Sequence, residues 1–163
     1  MTEQIEPSFA LLGPEYLDDL CRIEAASFSH PWSREEYRRE LTENPVARYL
    51  GCFCQGELAG FLGLWLVLDE GQIANVAVAP AWRGQGLGRA LMEQAIVLCL
   101  ALGGRTLSLE VREHNQTARG LYQSLGFREV GRRRGYYTQP TEDAILMDLD
   151  LCPEEPTAGS TAP

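Results

Sequence analysis

Three glycines crowd one short segment of this chain, Val76-Ala77-Val78-Ala79-Pro80-Ala81-Trp82-Arg83-Gly84-Gln85-Gly86-Leu87-Gly88-Arg89. An apolar, β-branched run precedes them and a helical pattern follows. Glycine lets backbone come close to a ligand, and a helix that starts there leaves its first amides unpaired. With the helix dipole added, the segment suits a phosphate or pyrophosphate. Two familiar phosphate loops do not fit. No Gly-Lys-Ser/Thr ending is present, and Arg89 stands where a dinucleotide fingerprint needs glycine. What remains is Arg-x-x-Gly-x-Gly, carried by Arg83, Gly86 and Gly88. Two further side chains could move protons. Glu110 interrupts the apolar run Leu107-Ser108-Leu109-Glu110-Val111, on the face shared by Ser108 and Arg112. On periodicity alone it stands level between a solvated residue of a half-exposed strand and a functional carboxylate. Tyr122 lies near a helix end, where a core aromatic is the commoner fate of a tyrosine.

The elements that must position these groups follow from periodicity and punctuation. Phe9 to Leu12 fits a short strand, and Pro14 suits a helix's first turn. Leu17, Leu20, Cys21, Glu24 and Phe28 then keep helical spacing on one mainly apolar face. Ser33 and Glu36 form a capping box that opens a second helix, to about Glu43, and Asn44-Pro45 ends it. Strands at about 47–54 and 57–68 flank the turn Gln55-Gly56, and Gln72 to Val78 completes a meander. The glycine segment opens a helix to about Leu102, with Leu87, Leu91, Ala95, Leu98 and Leu102 on its buried face. A strand from Thr106 to Val111, a helix from about Gln116 to Leu125 capped by Gly126, and strands near 127–137 and 143–150 complete the order. The pattern predicts an α/β fold with a mixed, mostly antiparallel sheet flanked by helices.

Composition narrows the function classes. The chain has 163 residues, 45% of them hydrophobic, and a formal charge of −9. That is the size of one domain, expected over residues 1–151, with 152–163 as a disordered tail. The acidic balance argues against nucleic-acid binding and leaves room for a basic peptide or amine. Arg132-Arg133-Arg134 is the one basic run and fits a solvated strand end. The longest apolar stretch, Leu58 to Leu68, falls short of a membrane span, and Met1 to Glu6 show no signal-peptide pattern. A cytoplasmic location and no membrane association are therefore expected; the oligomeric state is left open by the sequence, with a monomer favoured. Cys21, Cys52, Cys54, Cys99 and Cys152 are odd in number and sit mostly in apolar runs, which argues against a disulfide framework. Cys52 and Cys54 share one strand face and fit small buried hydrophobes. With His30 and His114 they make no ligand-spaced set, so no metal is expected.

The Arg83, Gly86, Gly88 motif between a strand and a helix resembles the acyl-CoA pyrophosphate loop of the GNAT superfamily of N-acetyltransferases. The element order from Phe9 to Leu151 matches that superfamily's fold. Within it the chain resembles the bacterial RimI family, which acetylates the N-terminal alanine of protein eighteen of the small ribosomal subunit. The matching stretches are His30-Pro31-Trp32-Ser33, Asn75 to Val78, Gly86 to Leu91, Leu109 to Arg112, Asn115, Leu121-Tyr122 with Ser124 to Phe127, and Tyr136-Tyr137 followed by Glu142 to Ile145 and Met147. The resemblance implies acetyl-CoA as cosubstrate and a ribosomal protein N-terminus as acceptor. It assigns Glu110 as general base and Tyr122 as the acid for the departing thiolate. It assigns Val76, Ala77 and Val78 to the thioester and pantetheine arm, Gly84, Gln85, Gly86, Leu87, Gly88 and Arg89 to the pyrophosphate, and Asn115 to acetyl-CoA. Gly84 departs from the family, where a basic or polar residue is common, so side-chain support for the phosphates should be weaker. Trp32, Tyr136 and Tyr137 fall where the family surrounds its peptide. A lysine or small-molecule amine acceptor, and a non-catalytic acyl-CoA-binding regulator, are the competing expectations; the regulator would need neither Glu110 nor Tyr122.

Overall fold

The computed structural model describes residues 6–152, so the expected tail beyond Cys152 lies outside the described residues. The elements run β1 (Ser8–Leu11), a 3-10 turn (Pro14–Tyr16), α1 (Leu17–Ser27), α2 (Arg34–Thr42), β2 (Ala47–Cys54), β3 (Glu57–Val67) and β4 (Glu70–Val78). A second 3-10 turn (Pro80–Trp82) leads to α3 (Leu87–Ala101), followed by β5 (Thr106–Arg112), α4 (Gln116–Ser124), β6 (Arg128–Tyr137) and β7 (Glu142–Asp150). The capping box forms as its spacing predicts: Ser33 Oγ accepts from the Glu36 amide, and the Glu36 carboxylate accepts from the Ser33 amide at 2.6 Å.

Among the described residues, seven strands make one sheet in the order β1-β2-β3-β4-β5-β7-β6. All neighbours are antiparallel except β4 and β5, whose parallel pairing requires the crossover that α3 supplies. Each sheet face has its own core. On one, Leu91, Met92, Ala95 and Cys99 of α3 pack on Leu62, Leu64, Leu107, Leu109 and Val111. On the other, Leu17, Leu20 and Ile23 of α1 and Tyr37 of α2 pack on Tyr49, Phe61 and Ala77. Cys52, Cys54 and Cys99 are buried in the first core and hold no disulfide, as small hydrophobes do.

Two irregularities open the middle of the sheet. Opposite β3, Gly63 pairs with Asn75 and Leu64 with Ile73, so Ala74 is an extra residue, a β-bulge. A bulge bends its strand and reverses which face the following side chains take. Ile73 belongs to the α3 side, but Asn75 faces α2 and Val76 returns to the α3 side. Beyond that point β4 no longer follows β5. Their pairing covers only Glu70 to Gln72 against Thr106 to Ser108.

Candidate active site

The divergence of β4 from β5 leaves a cleft, a cavity of about 610 Å³ that Glu110, Tyr122, Asn115 and Val76 all line. Glu110 and Tyr122 enter it from opposite faces of the sheet. Leu107, Leu109 and Val111 point into the α3 core, so Glu110 points to the α1 and α2 side. Tyr122 belongs to the α3 core, with its ring 5.9 Å from that of Phe127. The residue is only 8% exposed. Burial pushes its phenol up to about 12, with no hydrogen bond contributing. It therefore stays protonated across the physiological range.

Glu110 is one-fifth exposed and has Arg133 Nη2 at 3.5 Å. Arg133 also lies over the ring of Tyr136, 5.4 Å from its centroid, and Arg112 lies over Tyr137 at 4.2 Å. The basic run is thus more than a solvated strand end. Arg132 holds Glu113 and Asp143 at 2.7 and 2.8 Å, and Arg133 reaches the cleft carboxylate. Burial, with the charge of Glu110 behind it, pushes Tyr137 up to about 12.

The backbone of β4 offers donors to this cleft. The Ala79 amide donates to the Ala59 carbonyl at 2.7 Å. Bonded residues alternate in an antiparallel ladder, so Ala77 is turned toward β3 while Val76 and Val78 turn their amides to the open side. On that side Arg83 Nε donates to the Val78 carbonyl at 2.9 Å, and its Nη2 reaches Ser27 Oγ at 3.1 Å. Arg83 of the glycine motif thereby ties the loop to α1. Ala77 is buried against α1 and α2, so its side chain takes no part in the cleft.

The glycine segment lies outside the cavity, at the start of α3. Gly84 and Gly86 both take φ of +79°, which a side chain would strain. This accounts for glycine at 84, the position where the family commonly carries a basic or polar residue. Gly86 caps α3 with no side-chain hydrogen bond, so the first amides of the helix have no intrahelical acceptor. Gly88 is the informative one. It sits within the helix, where glycine is unfavourable, and a Cβ there would meet nothing within 4 Å. No atom of the described residues requires that glycine, whereas a close-lying ligand would. Free amides, a helix dipole and open space suit a pyrophosphate. Leu87 contributes only backbone, since its side chain is buried in the α3 core. Arg89 Nη1 donates to Ser124 Oγ at 2.8 Å and joins α3 to α4. Gln85 is exposed in the loop, and Asn115 caps α4 by accepting from the Ala118 amide.

One part of the cleft wall carries no sequence motif. Glu24 of α1 is 2% exposed. Its Oε1 accepts from the Trp32 amide at 3.1 Å and its Oε2 from Tyr37 Oη at 2.7 Å. Asn75 Nδ2 in turn donates to Tyr37 Oη. Burial raises the Glu24 pKa above the ordinary carboxylate range. The signal in the sequence is a carboxylate on the apolar stripe of Leu17 and Leu20. Nearby, Trp32 stacks on Trp65 with centroids 6.2 Å apart, and Glu40 accepts from Trp65 Nε1 at 2.6 Å and Tyr49 Oη at 2.8 Å.

The family model of the GNAT acetyltransferases matches residues 17–127, more than half of the chain. This chain belongs to the GNAT acetyltransferase family. It is an acetyl-CoA-dependent N-acetyltransferase, as the resemblance implied. The ribosomal protein bS18-alanine N-acetyltransferase of Escherichia coli strain K12 is 42% identical over 133 residues, covering 79% of this chain and 87% of that one. Its Salmonella typhimurium counterpart is 37% identical over 148 residues, covering 88% and 97%. The crystal structure of the Escherichia coli ribosomal-protein-S18-alanine N-acetyltransferase superposes with a TM-score of 0.84 at 36% identity, covering 90% of this acetyltransferase and 94% of that chain. The mixed sheet of seven strands flanked by helices is the fold that the sequence predicted.

Proposed function

We propose that this acetyltransferase modifies the α-amine of an N-terminal alanine, that of ribosomal protein bS18, by direct attack within a ternary complex. One observation carries the chemistry: the β4–β5 cleft brings a carboxylate and a protonated phenol together from opposite sheet faces. The similarity to alanine N-acetyltransferases along nearly their whole length supports the acceptor. A ribosomal acceptor implies work in the cytoplasm. No helix among the described residues is long and apolar enough to cross a membrane.

Acetyl-CoA supplies an activated acetyl thioester when bound. The amides at the start of α3 hold its pyrophosphate, and the outward amides of Val76 and Val78 hold the arm and polarise the carbonyl. Glu110 takes a proton from the acceptor amine, directly or through a water. The demand on it is modest. An α-amine has a reference pKa of about 7.7–8.0, so roughly a tenth is neutral at pH 7, whereas a lysine amine near 10.4 is far less available. Tyr122 gives its proton to the departing sulfur and recovers one from solvent, while Glu110 returns its own. For a neutral amine the sum is one amide and one thiol with no net proton left on the protein, and an acceptor that arrives as the ammonium ion releases one further proton to solvent.

The test is thiol release from acetyl-CoA with a basic peptide beginning Ala-Arg-Tyr-Phe. The controls are the same peptide blocked at its N-terminus and one carrying an internal lysine. Turnover confined to the free alanine terminus is expected. Silence there, or acetylation of the lysine alone, refutes the acceptor assignment.

A further inference from the structure

The mechanism makes no use of Glu24, yet its setting is unusual. A carboxylate with almost no exposure has lost nearly all its water, which is costly unless partners replace it. Its partners are two neutral donors, the Trp32 amide and Tyr37 Oη. An ionised carboxylate offers about four acceptor sites. No arginine or histidine among the described residues pairs with Glu24, and the charged group that acts on it most is another carboxylate, Glu36. The chain's fourteen basic side chains are all arginines, and the ion pairs they form go to other acids. Glu24 lines the same cavity as Glu110, on the α1 and α2 side. Through Tyr37 it is linked to Asn75, the residue before Val76.

We infer that Glu24 is a specificity-determining carboxylate: it is the counter-charge in the cleft wall that draws in the acceptor's α-ammonium group before Glu110 deprotonates it. This rests on the N-terminal acetyltransferase reading and adds a residue to it. Burial disfavours the charged form of Glu24, and a substrate ammonium that arrives charged at neutral pH supplies the cationic partner that favours ionisation. Hydrophobic and hydroxyl-terminated acceptors gain nothing from it.

The experiment measures binding of two peptides to the full chain with coenzyme A present. One begins with alanine. The other carries lactic acid in that place, with the same shape but a neutral hydroxyl for the ammonium. The wild type should prefer the amine by about tenfold, the scale of a hydrogen bond to a charged group. E24Q should abolish the preference while leaving the affinity for the lactyl peptide unchanged. A merely structural role for Glu24 would weaken both peptides together. E24Q can keep its network: the introduced amide donates to Tyr37 Oη, Tyr37 donates to Asn75, and the Asn75 amide turns over. E110Q provides the second arm, since it removes the other carboxylate and should retain the preference. Loss of the preference in E110Q, or its persistence in E24Q, overturns the inference, even where E24Q cannot be prepared. Wild-type turnover on the alanine peptide beside either result leaves the acceptor assignment standing; no turnover and no binding removes both.

Discussion

Replacing Tyr122 by phenylalanine separates chemistry from architecture. The ring stays, and with it the packing on Phe127 at 5.9 Å. The hydroxyl, whose only influence is its own burial, takes no intramolecular hydrogen bond away with it. Stability should therefore change by no more than about 0.5 kcal/mol, a melting shift of about 1–2 °C for a chain of this size. Turnover should fall by about 10²–10⁴, the usual contribution of a positioned acid, or about 3–5 kcal/mol of barrier. Affinity for acetyl-CoA should be unaltered, because the proposed hold on it is through backbone amides. The wild-type rate should rise with pH as the acceptor amine loses its proton and then level off. No decline from Tyr122 is expected below about pH 11, since the phenol is pushed up to about 12. Stopped assays of thiol release across pH 6–10, beside thermal melts of both proteins, decide the matter. Unchanged turnover refutes the acid role. A melting loss of many degrees accompanying the loss of activity refutes the argument from an unbonded hydroxyl.

Gly88→Ala should raise stability by about 0.5–1 kcal/mol, because a helical glycine in open space gains a better helix former. It should weaken acetyl-CoA binding by calorimetry, and tighter binding would show that the space is not the ligand's. Gly63→Ala places a Cβ 2.6 Å from Asn75 Oδ1 and 2.8 Å from the Tyr49 ring; chemical denaturation should show a loss of about 1–3 kcal/mol. Ser33→Ala removes half of the capping box and should cost about 0.5–2 kcal/mol in the same assay. Tyr37, Tyr49, Tyr122 and Tyr137 are all held above the ordinary tyrosine range, chiefly by burial. Each raised pKa contributes stability that is complete below about pH 10 and is lost as pH climbs through the folded value. The melting temperature should thus fall from about pH 10 upward, less steeply in Tyr37→Phe, and equal slopes would contradict the burial argument.

The elements themselves are legible because their signals are local. Ser33 and Glu36 mark a helix start within four residues, and Leu87 to Leu98 repeat at the helical period over the length of α3. The glycine segment is legible for the same reason, since a positive φ at Gly84 and Gly86 demands that residue type. Three features are not local. The bulge at Ala74 depends on pairing with Gly63 and Leu64, and nothing within β4 announces it. Asn75 consequently faces Tyr37 rather than the side on which simple alternation from Ile73 would put it. Arg133 reaches Glu110 only because β7 lies between β5 and β6 in the sheet, so the basic run looks like ordinary surface in one dimension. Glu24 keeps the spacing of a core helix, and the period cannot distinguish a core from the wall of a cavity.

The gap between β4 and β5 has a consequence for how such a protein can change. The amides that suit acetyl-CoA belong to β4 and the start of α3, and the side chains proposed to surround the acceptor belong largely to α1, the segment that follows it and the end of β6. The two groups meet only along the slit between two strands. Replacing the acceptor-side elements would re-address the transfer to a different amine without rebuilding the half that activates the acetyl group. The sheet serves as a partition through which one standard cartridge can be matched to many interchangeable front ends.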